Sequence, residues 1–553
     1  MSDYYDLGKY GRAVSTKSAD AQLWFDRGLV WTYGFNHEEA VRCFEKAADA
    51  DPACAMAQWG IAYAAGPNYN KPWEAFDEAD MSHTLNVSYA AAQKALALKD
   101  QASPVEQALI EALQARYPDD KPAEDMEAWN ATYGEAMRSV YKRFPDDLDV
   151  ASLFAEAIMN ITPWQLWDLP SGKPAEGAHT VEATDVLERA MAQMPTGEGD
   201  AHPGLLHLYI HLMEMSPHPQ KALRAGDLLR DLVPDSGHLV HMPTHIDVLC
   251  GQYSDVVAWN QRATIADRKY KAIEGSMNFY TLYRSHNLHF AMYGAMFIGQ
   301  ENAARAAADE LQEDLTAELL KIESPPMAEW VEAFVPMKIH VLIRFGRWQE
   351  IIDQPLPDDP DLFCSTTALL HYAKGVAHAT LGQVEQSAAE VDLFEAAVKN
   401  VPDTRYLFNN TVQDILAVAR EMLLGELEYR KENYDAAFAH LRKSVELDDN
   451  LPYDEPWAWM QPARHALGAL LLEQGHVAEA EAVYRADLGL DQTLARACQH
   501  PDNIWSLHGL HECLLKTGKT EEAAMVKLRL DLANGRADEP VTASCYCRLN
   551  RAA

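Results

Sequence analysis

The chain has 553 residues, 48% of them hydrophobic, and carries a formal net charge of −36 at pH 7. This charge argues against a nucleic-acid partner, because affinity for nucleic acid depends on lysine and arginine side chains that neutralise phosphates. No apolar run is long enough to span a bilayer, and no basic region followed by an apolar one opens the chain, so we expect a cytoplasmic protein with no membrane partner.

The first predicted elements are two helices joined by a turn. Small and apolar residues recur there in the roughly 34-residue pattern of the tetratricopeptide repeat, at Gly28, Trp31, Ala40, Phe44, Ala47 and Pro52. The pattern continues around inter-helix turns marked by Gly251, Gly299, Gly382 and Gly475. We therefore predict an all-α fold, a tetratricopeptide-repeat-like right-handed α-solenoid, or superhelix, of about ten or eleven helical hairpins.

A solenoid grows by adding repeats and not by adding domains, so we predict one continuous superhelix over residues 1–553. In chain order it comprises N-terminal repeats at 1–85, irregular helical repeats at 86–200, histidine-rich repeats at 201–310, C-terminal repeats at 311–535 and a tail at 536–553.

Histidines concentrate in the third of these segments, at positions that face the inner groove in the repeat register. Three consecutive repeats contribute seven predicted metal ligands, which are His207, His211, His238, His241, His245, His286 and His289. His207 and His211 stand four residues apart on one helical face, a spacing that suits chelation because both side chains lie over the same turn. Each histidine taken alone has an alternative role as a hydrogen-bonded packing residue.

Neutral nitrogen ligands with few carboxylates suit copper, zinc or iron better than magnesium or calcium. We expect copper or zinc first and iron as a further candidate, with one or two ions, because the imidazoles outnumber the needs of one tetrahedral ion. Glu214 and Glu156 are the candidate catalytic carboxylates. His202 and Asp247 are candidates for orienting the ligands.

Other groove-facing and loop residues predict a pocket for a small-molecule substrate. The candidates are Asn160, Trp164, Trp167, Tyr283, His340, Tyr453 and Asp454. The loop that begins at Tyr453 is rich in aromatic and acidic residues and could close over a ligand. Its alternative role is packing between repeats.

The cysteines divide into two groups. Most occupy apolar helical positions, where a small buried thiol is the ordinary interpretation. Cys545 and Cys547 differ because they form a Cys-x-Cys motif in the tail, which could bind a soft metal.

Several segments together resemble a large family of bacterial tetratricopeptide-repeat proteins of about this length. They read GFNHEEA, HPGLLHLYIH, HMPTHI, HNLHF and LPYDEP, and the resemblance runs from about Phe25 to Leu530. A more distant resemblance is to the eukaryotic tetratricopeptide repeat protein thirty-eight family. The resemblance implies an α-superhelix with a histidine-rich interior and brings no settled activity with it.

Two classes of function remain open. In the first, the chain is a metal-dependent enzyme, an oxidoreductase in preference to a hydrolase, that acts on a small molecule. In the second, it is a non-catalytic repeat scaffold that binds a peptide or protein partner. Peptide grooves usually display lysine, arginine and asparagine, whereas the inward positions here are histidine, glutamate and tyrosine, which favours the enzyme. The oligomeric state is left open.

Overall fold

The structure is a computed structural model that describes residues 4–195, 197 and 199–548. It divides into two compact units. The first contains the chain up to Ile246 together with Ile265–Glu274, and the second contains Asp247–Thr264 and the chain from Gly275 onward. The prediction of one continuous superhelix and of its subdivisions stays a prediction.

The described part of the first unit is built from helices and one β-hairpin. The hairpin pairs β1 (Trp167–Asp168) with β2 (Lys173–Pro174) in antiparallel fashion. The α-helices are α1 (Ala19–Tyr33), α2 (His37–Ala50), α3 (Ala55–Ala65), α4 (Glu78–Leu98), α5 (Pro104–Arg116), α6 (Glu127–Arg143), α7 (Leu148–Met159), α8 (Thr180–Met191), α9 (Pro203–Glu214), α10 (Leu223–Leu229) and α11 (Gly237–His241). The 3-10 helices are Trp73–Ala75, Lys99–Gln101 and Pro219–Ala222.

Two helices contribute residues to both units, α12 (Pro243–Leu249) and α13 (Tyr253–Glu274). The second unit continues with α14 (Thr281–Phe297), α15 (Glu301–Asp314), α16 (Ala317–Leu320), α17 (Met327–Val331), α18 (Met337–Arg344), α19 (Trp348–Asp353), α20 (Cys364–Thr380), α21 (Val384–Val398), α22 (Val412–Arg430), α23 (Tyr434–Asp449), α24 (Ala463–Glu473), α25 (Val477–Asp487), α26 (Ile504–Lys516) and α27 (Thr520–Asn534). It also contains the antiparallel pair β3 (Tyr406–Leu407) and β4 (Asn410–Thr411), and the 3-10 helices Glu332–Phe334 and Arg496–Cys498.

Consecutive helices pack as hairpins in both units. In the first unit α1 packs with α2, α3 with α4, α5 with α6, α7 with α8, and α9 with α10. In the second, α14 packs with α15, α18 with α19, α20 with α21, α22 with α23, α24 with α25, and α26 with α27. The prediction of an all-α, tetratricopeptide-repeat-like fold is confirmed.

The predicted turn glycines lie between consecutive helices and occupy the left-handed region of backbone space. Gly251, Gly299, Gly382 and Gly475 have φ values of 76°, 73°, 75° and 80°. Residues with a Cβ atom rarely adopt this conformation, so glycine follows a helix here at little steric cost. The turns therefore fall where the sequence places them.

Helix packing in the N-terminal repeats depends on small residues opposite a phenylalanine. The ring of Phe44 on α2 is fully buried and lies against Gly28 on α1 and Gly60 on α3. A Cβ atom added at Gly28 would lie 2.7 Å from the nearest ring atom. The absence of a side chain at both glycines thus lets one aromatic ring fill the space between three helices.

None of the helices among the described residues combines the length and apolar character that crossing a bilayer demands.

We expect Gly28→Ala to lower the free energy of unfolding by about 1–3 kcal/mol, because overpacking against Phe44 outweighs the better helix propensity of alanine. Gly134→Ala is the matched control, since the atom nearest to its new Cβ would be the flexible Cδ1 of Ile161 at 3.3 Å. Urea denaturation followed by circular dichroism measures both. Equal stability of the two variants would contradict the packing argument.

Candidate metal centre

Helix α9 carries the first two predicted ligands and one predicted catalytic carboxylate. It begins at Pro203, which is well suited to a first helical position, and the Nδ1 atom of His202 accepts the Leu205 N–H at 3.2 Å. Every residue of α9 is buried. The helix therefore displays His207, His211 and Glu214 on successive turns inside the first unit.

The Nδ1 atoms of the two α9 histidines are held by fixed partners. The Nδ1–H of His207 donates to the carbonyl oxygen of Tyr33 at 2.6 Å, and that of His211 donates to Oε1 of Glu214 at 2.8 Å. Both Nε2 atoms are buried and have no hydrogen-bond partner among the described residues. Each ring thus presents the lone pair of Nε2, the arrangement that outer partners impose on metal-bound histidines.

A third imidazole, that of His238 on α11, lies beside these two. One ligand atom from each of His207, His211 and His238 can be chosen so that all three lie within 4.8 Å of one another. The ring centroid of His238 is 4.9 Å from that of His207. Three buried nitrogen donors therefore converge in the first unit.

The ring of Phe35 packs against the three imidazoles. Its centroid lies 4.4 Å from that of His207, 5.8 Å from that of His211 and 5.8 Å from that of His238. An apolar neighbour of this kind excludes water and lowers the local dielectric, which strengthens electrostatic interactions at the site.

Two further histidines, His241 and His245, form a close pair in the same unit. Their Nε2 atoms are 2.7 Å apart, and Nδ1 of His245 donates to Oε2 of Glu214 at 2.5 Å. Thr244 Oγ1 lies 3.3 Å from Nδ1 of His241. Glu214 thus accepts from an imidazole at each carboxylate oxygen and orients His211 and His245 together.

Burial keeps the imidazoles of His207 and His211 neutral. Burial lowers the pKa of His207 to about 3, although the hydrogen bond to Tyr33 opposes the shift. The pKa of His211 is also well below its ordinary value, first because of burial and then because of the neighbouring His207, His245 and His241. Neutral imidazole is the form that binds a metal, so no proton has to leave at neutral pH.

Glu156 belongs to a separate polar group near His207. It accepts a hydrogen bond from the Tyr63 hydroxyl at 2.7 Å and one from the Asn160 amide, and the Arg116 guanidinium lies 3.9 Å away. Glu156 and His207 line the same cavity, of about 20 Å³, which has room for one or two water molecules. The predicted pair Glu156 and Asn160 is therefore in mutual contact and within reach of a molecule bound beside His207.

The remaining predicted residues of the first unit have packing partners. The Trp164 ring lies 6.1 Å from that of His211, whereas the Trp167 indole N–H donates to the carbonyl oxygen of Leu212 at 2.7 Å. His202 caps α9, and its Nε2 atom lies 3.2 Å from the carboxylate of Asp149. Trp164 is thus the predicted tryptophan that adjoins the histidines.

In the second unit, three predicted histidines have aromatic or sulfur neighbours. The His286 ring lies 5.1 Å from those of Phe290 and Phe408. Nε2 of His289 lies 2.7 Å from the Met460 sulfur. The third, His340, has its ring 5.1 Å from that of Trp459.

The other predicted residues of the second unit are also buried. The carbonyl oxygen of Asp247 accepts the Gln252 N–H at 2.8 Å, and the Tyr283 ring lies 5.5 Å from that of Tyr280. Asn409 donates to the Tyr453 carbonyl oxygen at 3.0 Å, and Asn410 donates to the Asp454 carboxylate at 2.9 Å. Substrate binding by Tyr283, Tyr453 and Asp454 stays a prediction.

Two contributors to the centre do not appear among the sequence-predicted residues. The Tyr33 carbonyl that holds His207 is a backbone group, so no residue type could indicate it. Phe35 follows the end of α1 with a φ of 55°, and this turn conformation aims its ring at the histidines. Its segment GFNHEEA contributes to the family resemblance, and that is the one signal that could have found it.

No family model matches the chain, and no curated protein matches it. Among solved structures, the Cut9-Hcn1 hetero-tetramer of the APC/C is 13% identical over 89% of this chain and 76% of that chain, with a TM-score of 0.30. Yeast Tom70 is 12% identical over 93% and 96%, with a TM-score of 0.31. A monomeric IFIT1 mutant with m7Gppp-AAAA is 9% identical over 94% and 91%, with a TM-score of 0.31. Values this low assign neither a family nor a function.

The buried histidines predict acid sensitivity, and His340 gives the clearest test. Burial, with the charge of Arg344, lowers its pKa to about 3. Because unfolded histidine binds a proton near pH 6.5, unfolding takes up a proton between about pH 6.5 and 3 and stability falls as pH falls. The variant His340→Leu lacks this titrating group. As pH falls through this window, its free energy of unfolding should therefore rise relative to that of the wild type by roughly 1 kcal/mol per pH unit.

Urea denaturation with a chelator present, repeated between about pH 7 and 4, measures this difference across the histidine titration. A difference between the two proteins that stays constant with pH would contradict the prediction.

Proposed function

We propose that the first unit binds a transition-metal ion through His207, His211 and His238, and that the protein carries out metal-dependent chemistry on a small molecule beside it. One observation carries the proposal. The Nε2 atoms of His207 and His211 are buried without a partner in the described chain, while Nδ1 of each ring is held in place.

Free energy favours ligation over packing for these two rings. A buried nitrogen without a hydrogen-bond partner costs about 1–3 kcal/mol. Two such nitrogens beside a third imidazole would repeat this cost in a folded protein that bound nothing. A bound metal ion removes it, since each lone pair then acts as a ligand.

The donor set supports copper or zinc first and iron as a further candidate. Imidazole suits all three metals, and the Glu214 carboxylate has an imidazole donor at each oxygen. His241 and His245 provide a second group of nitrogens near the first, so the number of ions is one or two. Glu214 is placed to orient ligands, which is a positioning role.

The surroundings favour redox chemistry over hydrolysis. A hydrolytic site needs a carboxylate or imidazole base that can take a proton from water. Glu214 already accepts from two imidazoles, and Glu156 accepts from Tyr63 and Asn160. The cavity that reaches His207 admits a molecule about the size of water, which fits dioxygen or peroxide better than an ester or a peptide.

A non-catalytic repeat scaffold is the second candidate, and burial is the observation that favours it. The side chains of His207, His211, His238 and Glu214 are at most 1% exposed. Structural metal sites are closed in this way, whereas catalytic sites keep an open position. In this alternative the ion fastens α9 to α11 and the repeats bind a protein partner.

Metal content tests the site itself. We expect about one equivalent or more of copper, zinc or iron per chain in protein purified without chelator. The metal content of His211→Ala should be at least about tenfold lower. His371→Ala is the matched control, because His371 also pairs with a glutamate at 2.7 Å on a helix but lies in the second unit. Less than about 0.2 equivalents in the wild type, with none taken up on reconstitution, would refute the metal centre.

The Glu214→Gln variant tests the orienting role. A glutamine has one acceptor oxygen in place of two, so at least one of His211 and His245 loses its partner. We expect metal affinity to fall about 10–100-fold while helical content is retained. Competition with a chromogenic chelator measures the affinity, and unchanged affinity would assign Glu214 to packing alone.

Oxygen consumption with ascorbate as the reductant separates the enzyme from the scaffold. Consumption by the metal-loaded wild type that exceeds the rate of His211→Ala supports redox chemistry. Equal rates, combined with a melting temperature that rises when metal is added, support the scaffold.

A further inference from the structure

The tail of the second unit is fastened to three helices by hydrogen bonds and an ion pair. The Ser544 hydroxyl bonds to that of Tyr484 at 2.6 Å, Arg430 donates to the carbonyl oxygen of Cys547, and Arg548 pairs with Glu512 at 2.7 Å. These attachments fix the segment that contains Cys545 and Cys547. The Cys-x-Cys motif is thus an ordered part of the fold.

The two thiols line a cavity inside the second unit. Arg344, Tyr372, Glu426, Trp459 and His465 line the same cavity. Cys545 is partly exposed, whereas Cys547 is buried. The Cys547 N–H donates to the Cys545 sulfur at 3.4 Å, so the backbone of one cysteine stabilises negative charge on the sulfur of the other.

Arg344 supplies the positive charge in this cavity. Its guanidinium is buried and donates to Nδ1 of His465 at 3.1 Å, while the Nε2–H of that ring donates to Asp487 at 2.8 Å. In the described part of the chain no carboxylate lies within ion-pair distance of Arg344. A buried cation needs a nearby anion, and a thiolate in the shared cavity would provide one.

Cys545 differs in acidity from Cys547 and from the other cysteines. A hydrogen bond from Cys547, assisted by Arg344, holds the pKa of Cys545 below its ordinary value, although burial and Glu426 oppose this. Burial raises the pKa of Cys547, and its hydrogen bond to Cys545 adds to the shift. Burial also raises the pKa of the other thiols, Cys43, Cys54, Cys250, Cys364, Cys498 and Cys513.

We propose that Cys545 and Cys547 form a redox-active dithiol that exchanges with small disulfides. The Cys545 thiolate attacks one sulfur of a disulfide RS–SR, forms a mixed disulfide and releases RS⁻, which takes a proton from water. The Cys547 thiol gives its proton to Glu426 or water and attacks the Cys545 sulfur, which forms the Cys545–Cys547 bond and expels the second RS⁻. Two protein thiols are oxidised and one disulfide is reduced to two thiols.

Alkylation of the full-length protein tests the nucleophile. Under limiting iodoacetamide at pH 7, peptide mass spectrometry should find Cys545 modified at least about ten times faster than Cys250. Cys250 is the matched control because it is also partly exposed. Equal or faster labelling of Cys250 would overturn the proposal. Slow labelling of Cys545 that a chelator accelerates would identify a metal–thiolate site and would overturn it too.

Oxidised glutathione tests the resolving step. We expect the wild type to form a Cys545–Cys547 disulfide that dithiothreitol reverses, and Cys547→Ser to accumulate glutathione on Cys545. Glutathione attached mainly to other cysteines, or a wild-type tail that stays reduced, would overturn the proposal.

The pH dependence of Cys545 alkylation tests whether the charge of Arg344 stabilises the Cys545 thiolate. Arg344→Met should move the pH profile of Cys545 alkylation to higher pH, whereas Arg344→Lys should restore it because the charge is kept. If Arg344→Met does not fold, Arg344→Gln replaces it, because glutamine is also uncharged. An unchanged alkylation profile in the folded uncharged variant would show that the guanidinium contributes no charge effect and would overturn this role of Arg344.

Discussion

The candidate metal centre depends on one buried carboxylate. Glu214 accepts a hydrogen bond from His211 at one oxygen and from His245 at the other, and these histidines belong to α9 and α12. A carboxylate acceptor fixes the tautomer of each ring, because the proton must be on Nδ1. The Nε2 lone pair of His211 is then available for ligation, whereas Nε2 of His245 lies 2.7 Å from that of His241. One side chain thus sets the chemistry of two others on different helices.

The end of the first helix extends this control to His207. Helix α1 ends at Tyr33, and the last carbonyl groups of a helix have no partner within it. The Tyr33 carbonyl accepts the Nδ1–H of His207, so a carbonyl group at the end of one helical hairpin orients a candidate ligand on another. Phe35, two residues further on, covers the same ring. The N-terminal repeat is therefore part of the centre although it supplies none of the converging nitrogens.

The sequence predicts the helical hairpins and the histidine-rich segment because both follow from local spacing. The interval between His207 and His211 places them on one face of a helix whatever surrounds it. Contacts between distant residues leave no such pattern. The pairing of Glu156 with Tyr63 and Arg116, and of His207 with a backbone carbonyl, arises from the stacking of hairpins. Spacing therefore identifies candidate ligands, and tertiary packing determines which nitrogen each one offers.

A second carboxylate–histidine cluster shows what a purely structural version of this arrangement looks like. In the second unit, Asp487 accepts from His465 at 2.8 Å and from His500 at 2.8 Å. The other nitrogen of each ring is also satisfied, since Arg344 donates to His465 at 3.1 Å and the Tyr293 hydroxyl pairs with His500 at 3.0 Å. Every imidazole nitrogen in that cluster has a protein partner, so nothing remains to bind an ion.

The cluster around Glu214 also pairs a carboxylate with two imidazoles, but not every imidazole nitrogen there has a hydrogen-bond partner among the described residues. His207 and His211 are as deeply buried as His465, yet each has a nitrogen with no partner in the described chain. Desolvation opposes such an arrangement in the same way at both places, so burial alone cannot explain the difference. The proposed cation, held by these two nitrogens, would explain it, because ligation would complete the set of interactions that hydrogen bonds complete around Asp487.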